Sequence, residues 1–286
     1  MTEETRRQRG LTLIEMTLVV ATIALLVGFA LPAVRTLVGS FHSEGGAKSM
    51  IQAALSSARA MATSRQEYVG IRFQTAYSRG AANPDDPLAS AQYMILIVHD
   101  PAPEPDGTGF SIGFRAIEGL KPIRLPEGFF AVDPTLVTRT RDSQNRIRMD
   151  EQSSINSDDD LDTLSELRDV TTFSLVFSPA GKLIVHDVRV WNRHGRTASS
   201  SKESTDSVFN SATEVVEGDT KAMFYQDDYP EMGLGPEPSR MSFVVCEKNR
   251  LRDGYTRKRL WTDYLQYRVA ERVYVSPYTG NLISSE

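Results

Sequence analysis

Residues 10–31 read GLTLIEMTLVVATIALLVGFAL, and the interpretation of the remaining chain depends on this stretch. It is almost wholly apolar from Leu11 to Leu31, and as a helix it would extend about 32 Å, close to the thickness of a bilayer core. The polar residues before it include Arg6, Arg7 and Arg9. A cationic flank on one side only predicts a transmembrane helix with a cytoplasmic N-terminus and an exported remainder.

One carboxylate, Glu15, distinguishes this stretch from simpler alternatives. A buried core helix need not be uninterrupted over this length, and an ordinary secretory signal is shorter and ends in a small-x-small cleavage site. A plain membrane anchor explains the length and the arginines but not Glu15. A carboxylate costs about 2.5–3.5 kcal/mol near the centre of a bilayer and less towards an edge, where Glu15 lies. Because an ionisable residue in a membrane segment still needs a partner, Glu15 indicates a function.

The segment Gly10-Leu11-Thr12-Leu13-Ile14-Glu15 resembles the class III signal of type IV pilins and pseudopilins. The resemblance implies that a prepilin peptidase cuts after Gly10 and that the new amine of Leu11 is N-methylated. It also implies that Glu15 pairs with the amine of a neighbouring subunit during assembly. The family usually begins its mature chain with phenylalanine, so Leu11 departs from the pattern, whereas Pro32 matches a frequent family proline.

The residues after Pro32 predict an amphipathic stalk helix that ends near residue 66. Its apolar residues recur at helical spacing and should lie against the head; they are Met50, Ile51, Ala54, Leu55, Ala58, Met61 and Ala62. Gly39 and the pair Gly45-Gly46 interrupt the pattern, as either a bend or a merely weak helix would.

Residues 67–286 predict a head made of strands, because β-branched and aromatic runs alternate with glycine and proline. The predicted strands are Tyr68–Phe73, Gln92–His99, Phe110–Ile117, Phe173–Ser178, Lys182–Val190, Met241–Cys246, Tyr264–Val269 and Arg272–Val275. The segment Phe177-Ser178-Pro179-Ala180-Gly181 predicts a hairpin. Together with residues 54–62 and 123–128, it is similar to the H-type minor pseudopilins (the GspH/FimT-like group).

The predicted fold class is therefore α+β, with a long N-terminal transmembrane and stalk helix packed on a β-sandwich-like head of antiparallel sheets, the pilin fold. The domains are a leader at 1–10, a transmembrane helix at 11–31, a stalk at 32–66 and a periplasmic head at 67–286. The resemblance implies a structural subunit of a type II secretion or type IV pilus-like filament in the inner membrane. Its partners would be the prepilin peptidase, other pilins or pseudopilins, the inner-membrane assembly platform and membrane lipid.

Two polar stretches, near residues 138–169 and 199–239, predict surface loops or contact surfaces particular to this subunit. The first contains Asp158, Asp160 and Asp162 at the alternate spacing of calcium loops. Thr163 replaces the glycine that should follow them, so a solvated acidic loop is the preferred interpretation.

The segment 248–272 combines basic and aromatic residues within a chain of formal net charge -5. Cations for phosphates and rings for bases suit single-stranded nucleic acid, so the alternative function is DNA binding in a DNA-uptake machine through Arg257, Lys258, Arg259 and Trp261. An inter-subunit salt-bridge face or a solvated hairpin explains the same composition.

No feature of the sequence predicts catalysis or a cofactor. Cys246 is the single cysteine and lies in an apolar run, so it predicts a buried strand thiol and excludes a disulfide within the chain. The four histidines, His42, His99, His186 and His194, show no metal-ligand spacing. We therefore expect neither an enzyme nor a metal site.

Overall fold

The computed structural model describes part of the chain in two compact units, residues 1–43 and 44–286. The described residues are 13–26, 43–79, 83–84, 86–100, 113–141, 147–155, 161, 163–192, 206–210, 215–216, 223–227, 236–256, 264–265, 267–268 and 271–284.

The first unit contains one described helix, α1, at residues 13–26. Its hydroxyls bond back to the preceding turn: Thr17 Oγ1 donates to Ile14 O at 2.9 Å, and Thr22 Oγ1 to Leu18 O at 2.8 Å. At 1.5 Å per residue, α1 rises about 21 Å over its described length. In the described part of the chain, no helix is both long and apolar enough to span a bilayer. This finding contradicts the predicted transmembrane helix and the predicted single-pass inner-membrane location with a periplasmic head.

The predicted fold class is also wrong. The chain is mostly sheet, and its main sheet curls into a seven-strand half-barrel. The described residues form four short helices, and none of them is long and apolar. The fold is therefore not a long N-terminal helix on a pilin head.

A second helix, α2, begins at Glu44 and ends at Arg65. Its first turn contains Gly45 and Gly46, and each glycine costs helix stability of about 1 kcal/mol.

Sixteen strands and, besides α2, two short helices have both ends among the described residues of the second unit. The strands are β1 Val69–Thr75, β2 Gln92–His99, β3 Gly113–Ala116, β4 Ile123–Arg124, β5 Phe129–Val132, β6 Thr135–Arg141, β7 Ile147–Ser154, β8 Phe173–Phe177, β9 Leu183–Ile184, β10 Asp187–Trp191, β11 Phe209–Asn210, β12 Phe224–Tyr225, β13 Glu237–Pro238, β14 Ser242–Glu247, β15 Val273–Val275 and β16 Leu282–Ser284. The helices are α3 Leu164–Val170 and α4 Lys248–Thr256.

The main sheet runs in the order β13-β10-β3-β2-β1-β8-β9, with β4 paired to β2. Most neighbours are antiparallel, but β3 and β10 are parallel, so the sheet is mixed and not the predicted antiparallel one. Strand β1, in the interior of this sheet, is buried on both faces. Val69, Ile71 and Phe73 face one hydrophobic core, and the alternate residues Gly70, Arg72 and Gln74 lie on the opposite face, since side chains alternate along a strand.

Helix α2 fills the space between this sheet and a second one of order β16-β15-β14-β5. The predicted apolar stripe of α2 is its buried face: Ile51, Leu55 and Ala58 are fully buried. Gln52 Oε1 accepts the backbone N–H of Leu282 at 2.6 Å, which ties α2 to the outermost strand of the second sheet. The far side of that sheet carries another core, which α3 and α4 cover through Leu167 and Leu251.

Neither polar stretch is only a surface loop. The first contains the β6–β7 hairpin and α3, whose capping box joins Thr163 and Glu166. The second contributes β11, β12 and β13 and buries Phe209 and Phe224 against the open face of the main sheet. The polar composition predicted loops because it did not reveal that a few apolar residues in each stretch are sufficient to pack it against a hydrophobic core. Residues 264–265 and 267–268 are helical, so the predicted strand Tyr264–Val269 is also wrong.

Candidate functional site

Helix α1 exposes its apolar side chains all the way round. Its residues are exposed throughout, with Leu13 at 80%, Leu18 at 66% and Leu26 at 69% of their full accessible surface. Exposed apolar surface of this extent marks a binding surface, because water contact with it is unfavourable. The helix is therefore a candidate contact element for a partner of apolar surface.

Glu15 is the one charged residue within residues 13–26, and it lies on this helix. Gly10 and Leu11, the predicted cleavage and methylation positions, lie outside the described residues, as does Pro32. The structure thus places the carboxylate in an apolar helical surface and leaves the predicted processing of Gly10 and Leu11 as a prediction.

The basic segment near the C-terminus begins with α4, and its first lysine is occupied by the protein itself. Lys248 Nζ donates to Ser90 O at 2.5 Å and lies 5.1 Å from the centroid of the Phe130 ring. Burial, and then the charge of Arg252, lower the pKa of Lys248 to about 8. Arg252 itself donates to Leu88 O, so both cations hold the loop that precedes β2.

Arg268 is likewise engaged in a cluster of carboxylates. Its guanidinium lies 3.3 Å from Glu44 and 3.8 Å from Glu247, and it also pairs with Glu271. Glu44 is the first residue of α2 and Glu247 the last of β14, so Arg268 joins three parts of the second unit. Its charge is neutralised within the chain, which argues against phosphate binding at this position.

The four residues predicted for DNA contact, Arg257, Lys258, Arg259 and Trp261, lie outside the described residues. Nearby, Tyr264 Oη accepts the backbone N–H of Glu247 at 3.1 Å, so the hydroxyl of this tyrosine is bonded within the protein. Tyr267 is 73% exposed. The DNA-binding prediction therefore rests on residues that the structure does not describe.

A buried cluster around Arg72 has no counterpart in the sequence analysis. Arg72 is fully buried in β1, and its Nη2 lies 2.5 Å from Asp227 Oδ1 and its Nη1 3.3 Å from Glu237 Oε1. Asp227 Oδ2 also accepts the backbone N–H of Val190 at 2.6 Å. Both carboxylates come from the second polar stretch. Buried charges require such pairing, so the cluster fixes this stretch to the sheet.

Cys246 is buried in β14, and burial raises the pKa of its thiol far above the ordinary value. A neutral thiol without solvent access is unreactive, which agrees with the strand-thiol prediction. The predicted acidic calcium-like residues Asp158, Asp160 and Asp162 lie outside the described residues. Within the described ranges, no three or more histidine, cysteine and carboxylate side chains are close enough to hold a metal ion.

Two of the four histidines meet in space although they are distant in sequence. The rings of His99 and His186 have centroids 5.5 Å apart, between the rings of Tyr68 and Phe114. His99 ends β2, and His186 immediately precedes β10. No local spacing could have revealed the pair, since strand order alone brings them together. His42 and His194 lie outside the described residues.

Comparison of this chain with protein-family models, curated proteins and solved structures finds no match.

Proposed function

We propose that the chain is a structural subunit of a pilin-like filament, of the kind assembled by type II secretion or type IV pilus machines. In this proposal the N-terminal helix packs against the corresponding helices of neighbouring subunits. The observation that carries the proposal is α1, a helix exposed along its whole described length and apolar except for Glu15 and its hydroxyl residues. The proposal rests on this helix and not on the head, whose fold is not that of a pilin.

The energetics favour association through α1. Burying one leucine or isoleucine side chain contributes about 1.5–3 kcal/mol, and α1 presents several. Leu13, Ile14, Leu18, Leu25 and Leu26 are all at least 60% exposed. A partner helix with a similar surface would remove this area from water.

Glu15 supplies the specificity of the contact. A carboxylate buried between apolar helices is costly unless a cation meets it, and removing the cation leaves that cost uncompensated. Cleavage after Gly10 would give Leu11 a positively charged amine, which could meet Glu15 of a neighbouring subunit. The carboxylate then favours one stagger between subunits over others. The prepilin peptidase and other pilins or pseudopilins are the partners that this arrangement requires.

The DNA-binding alternative has less support within the described residues. Lys248, Arg252 and Arg268 all contact protein groups, and they account for a large share of the positive charge described in that segment. We therefore retain filament assembly as the proposed function.

The first test compares the unmodified chain with Glu15→Gln in cells that assemble the filament. We expect N-terminal sequencing to give Leu11 as the first residue for both, and the amount of Glu15→Gln recovered with sheared filaments to fall about tenfold or more. Glu118→Gln, an exposed carboxylate of the second unit, is the matched control and should assemble normally. Equal recovery of Glu15→Gln would contradict the assembly role.

A second test reports directly on helix contacts. Because Cys246 is buried, a cysteine introduced at Leu18 would be the accessible thiol among the described residues. The contact between Leu11 and Glu15 would offset neighbouring helices by four residues, which places position 14 of one subunit level with position 18 of the next. Mild oxidation of a mixture of Ile14→Cys and Leu18→Cys subunits should therefore give disulfide-linked dimers, whereas Lys121→Cys on the exposed surface of the second unit should remain monomeric. Monomers alone from the mixture would argue against helix packing between subunits.

A further inference from the structure

The histidine pair His99–His186 has features beyond those of ordinary aromatic packing. Both backbones are fixed: the N–H of His99 donates to Tyr68 O at 2.9 Å, and the N–H of His186 donates to Ser239 Oγ at 3.0 Å. Both residues are half-buried, so solvent and ions reach them. The backbone is therefore fixed at both positions, and neither residue is sealed in the core.

The hydrogen bonding of His186 assigns its ring nitrogens. His186 Nδ1 lies 2.6 Å from the carbonyl oxygen of Asp187. A carbonyl oxygen only accepts, so Nδ1 carries the proton. In the neutral ring, Nε2 then bears the lone pair. A backbone carbonyl that holds one imidazole nitrogen in this way is the usual outer contact of a metal-binding histidine, since it fixes the tautomer and the ring orientation.

The separation of the rings suits two ligands of one ion. Zinc binds imidazole nitrogen at about 2.0–2.1 Å, so the ion lies about 3.2 Å from the ring centroid. Two such rings at a tetrahedral angle have centroids about 5 Å apart. The centroids of His99 and His186 are 5.5 Å apart, with an interplanar angle of 64°. The observed separation of the two centroids is therefore close to that of two imidazoles on one ion.

We propose that His99 and His186 form a two-histidine site for a borderline divalent cation of the Zn²⁺ or Cu²⁺ class, with water completing the coordination. Imidazole suits these ions, whereas Mg²⁺ and Ca²⁺ prefer oxygen ligands. The ion would link the end of β2 to the start of β10, two strands separated by β3 in the sheet. Metal binding at this site is independent of the proposed assembly through α1.

The experiment uses the full chain, kept in solution with a non-ionic detergent and freed of metal with a chelator. Calorimetric titration with ZnCl₂ should show one bound equivalent, and MgCl₂ should show none. His99→Gln and His186→Gln should each weaken Zn²⁺ binding about tenfold or more. The other two histidines provide matched controls, so His42→Gln and His194→Gln should bind as the unmodified chain does.

Two results would overturn the site. One is the absence of Zn²⁺ and Cu²⁺ binding to the unmodified chain; the other is binding that persists in both His99→Gln and His186→Gln. Nitrogen NMR of the unmodified chain does not depend on the folding of any variant. Added Zn²⁺ should shift the Nε2 resonance of His186 and leave Nδ1 protonated, and unchanged imidazole resonances would likewise refute the proposal.

Discussion

At the scale of single residues, Arg72 is a buried cation that joins several parts of the second unit. It is fully buried, and it donates to Asp227, Glu237, Gln74 and Ser174. The pair with Asp227 gains in strength from the low dielectric around it, but each member would be costly alone. The cluster therefore stabilises the fold only while all its members are present.

We predict that Arg72→Met lowers the free energy of unfolding by about 3–5 kcal/mol, because two carboxylates then remain buried without their cation. Urea unfolding followed by circular dichroism measures the change. The matched control is Arg250→Met, which breaks the exposed pair with Glu247 and should cost less than about 1 kcal/mol. Equal losses of unfolding free energy in the two variants would show that the buried ion pairs of Arg72 stabilise the protein no more than an exposed pair does.

At the scale of elements, the β8–β9 hairpin shows how local chemistry and packing combine. Gly181 has a φ of +72°, and its N–H donates to Ser178 O at 2.8 Å. A side-chain carbon added at Gly181 would also lie 2.8 Å from Thr63 Cγ2 of α2. Two features therefore require glycine at this position: the positive φ of the turn and the close approach of α2.

We predict that Gly181→Ala destabilises the protein by about 1 kcal/mol more than Gly119→Ala does. Both positions have positive φ, which costs an alanine about 1–2 kcal/mol, but Gly119 has open space around it. Thermal unfolding of the two variants measures the difference. Adding Thr63→Ser, which removes the contacting methyl group, should bring Gly181→Ala close to Gly119→Ala; an unchanged gap would rule out the clash.

Elements with a strong local signal were predictable from the sequence, and elements defined by distant partners were not. Strand β2 was predicted with its observed bounds, and the β8–β9 hairpin is confirmed, because alternation and turn chemistry are local. Helix α3 was not predicted, although Thr163 and Glu166 form the capping-box pattern that marks a helix N-terminus. The acidic residues before Thr163 had directed the interpretation of this segment to a solvated loop. The segment Tyr264–Val269 was predicted as a strand, but residues 264–265 and 267–268 are helical, and the guanidinium of Arg268 lies 5.7 Å from the centroid of the Tyr264 ring; tertiary contacts here override propensity.

At the scale of the whole second unit, two sheets separate three hydrophobic cores. The core between the sheets encloses α2, and its apolar stripe was predictable. The outer core on the main sheet was not predictable, because three of its buried residues come from a stretch whose composition indicates a loop. Val208, Phe209 and Phe224 belong to that stretch and pack against Ile95, Ile97 and Val176 of the sheet.

This arrangement makes the second polar stretch part of the folding unit, and Phe224 tests it. Phe224 is 1% exposed, and its ring centroid lies 5.4 Å from that of Tyr93. Phe224→Ala should lower the free energy of unfolding by about 3–5 kcal/mol through lost burial and a new cavity. Val216→Ala, in the same stretch but 46% exposed, should change it by no more than about 0.5 kcal/mol. If Phe224→Ala unfolds in urea at the same midpoint as Val216→Ala, the stretch is a surface loop and the main sheet is stable without it.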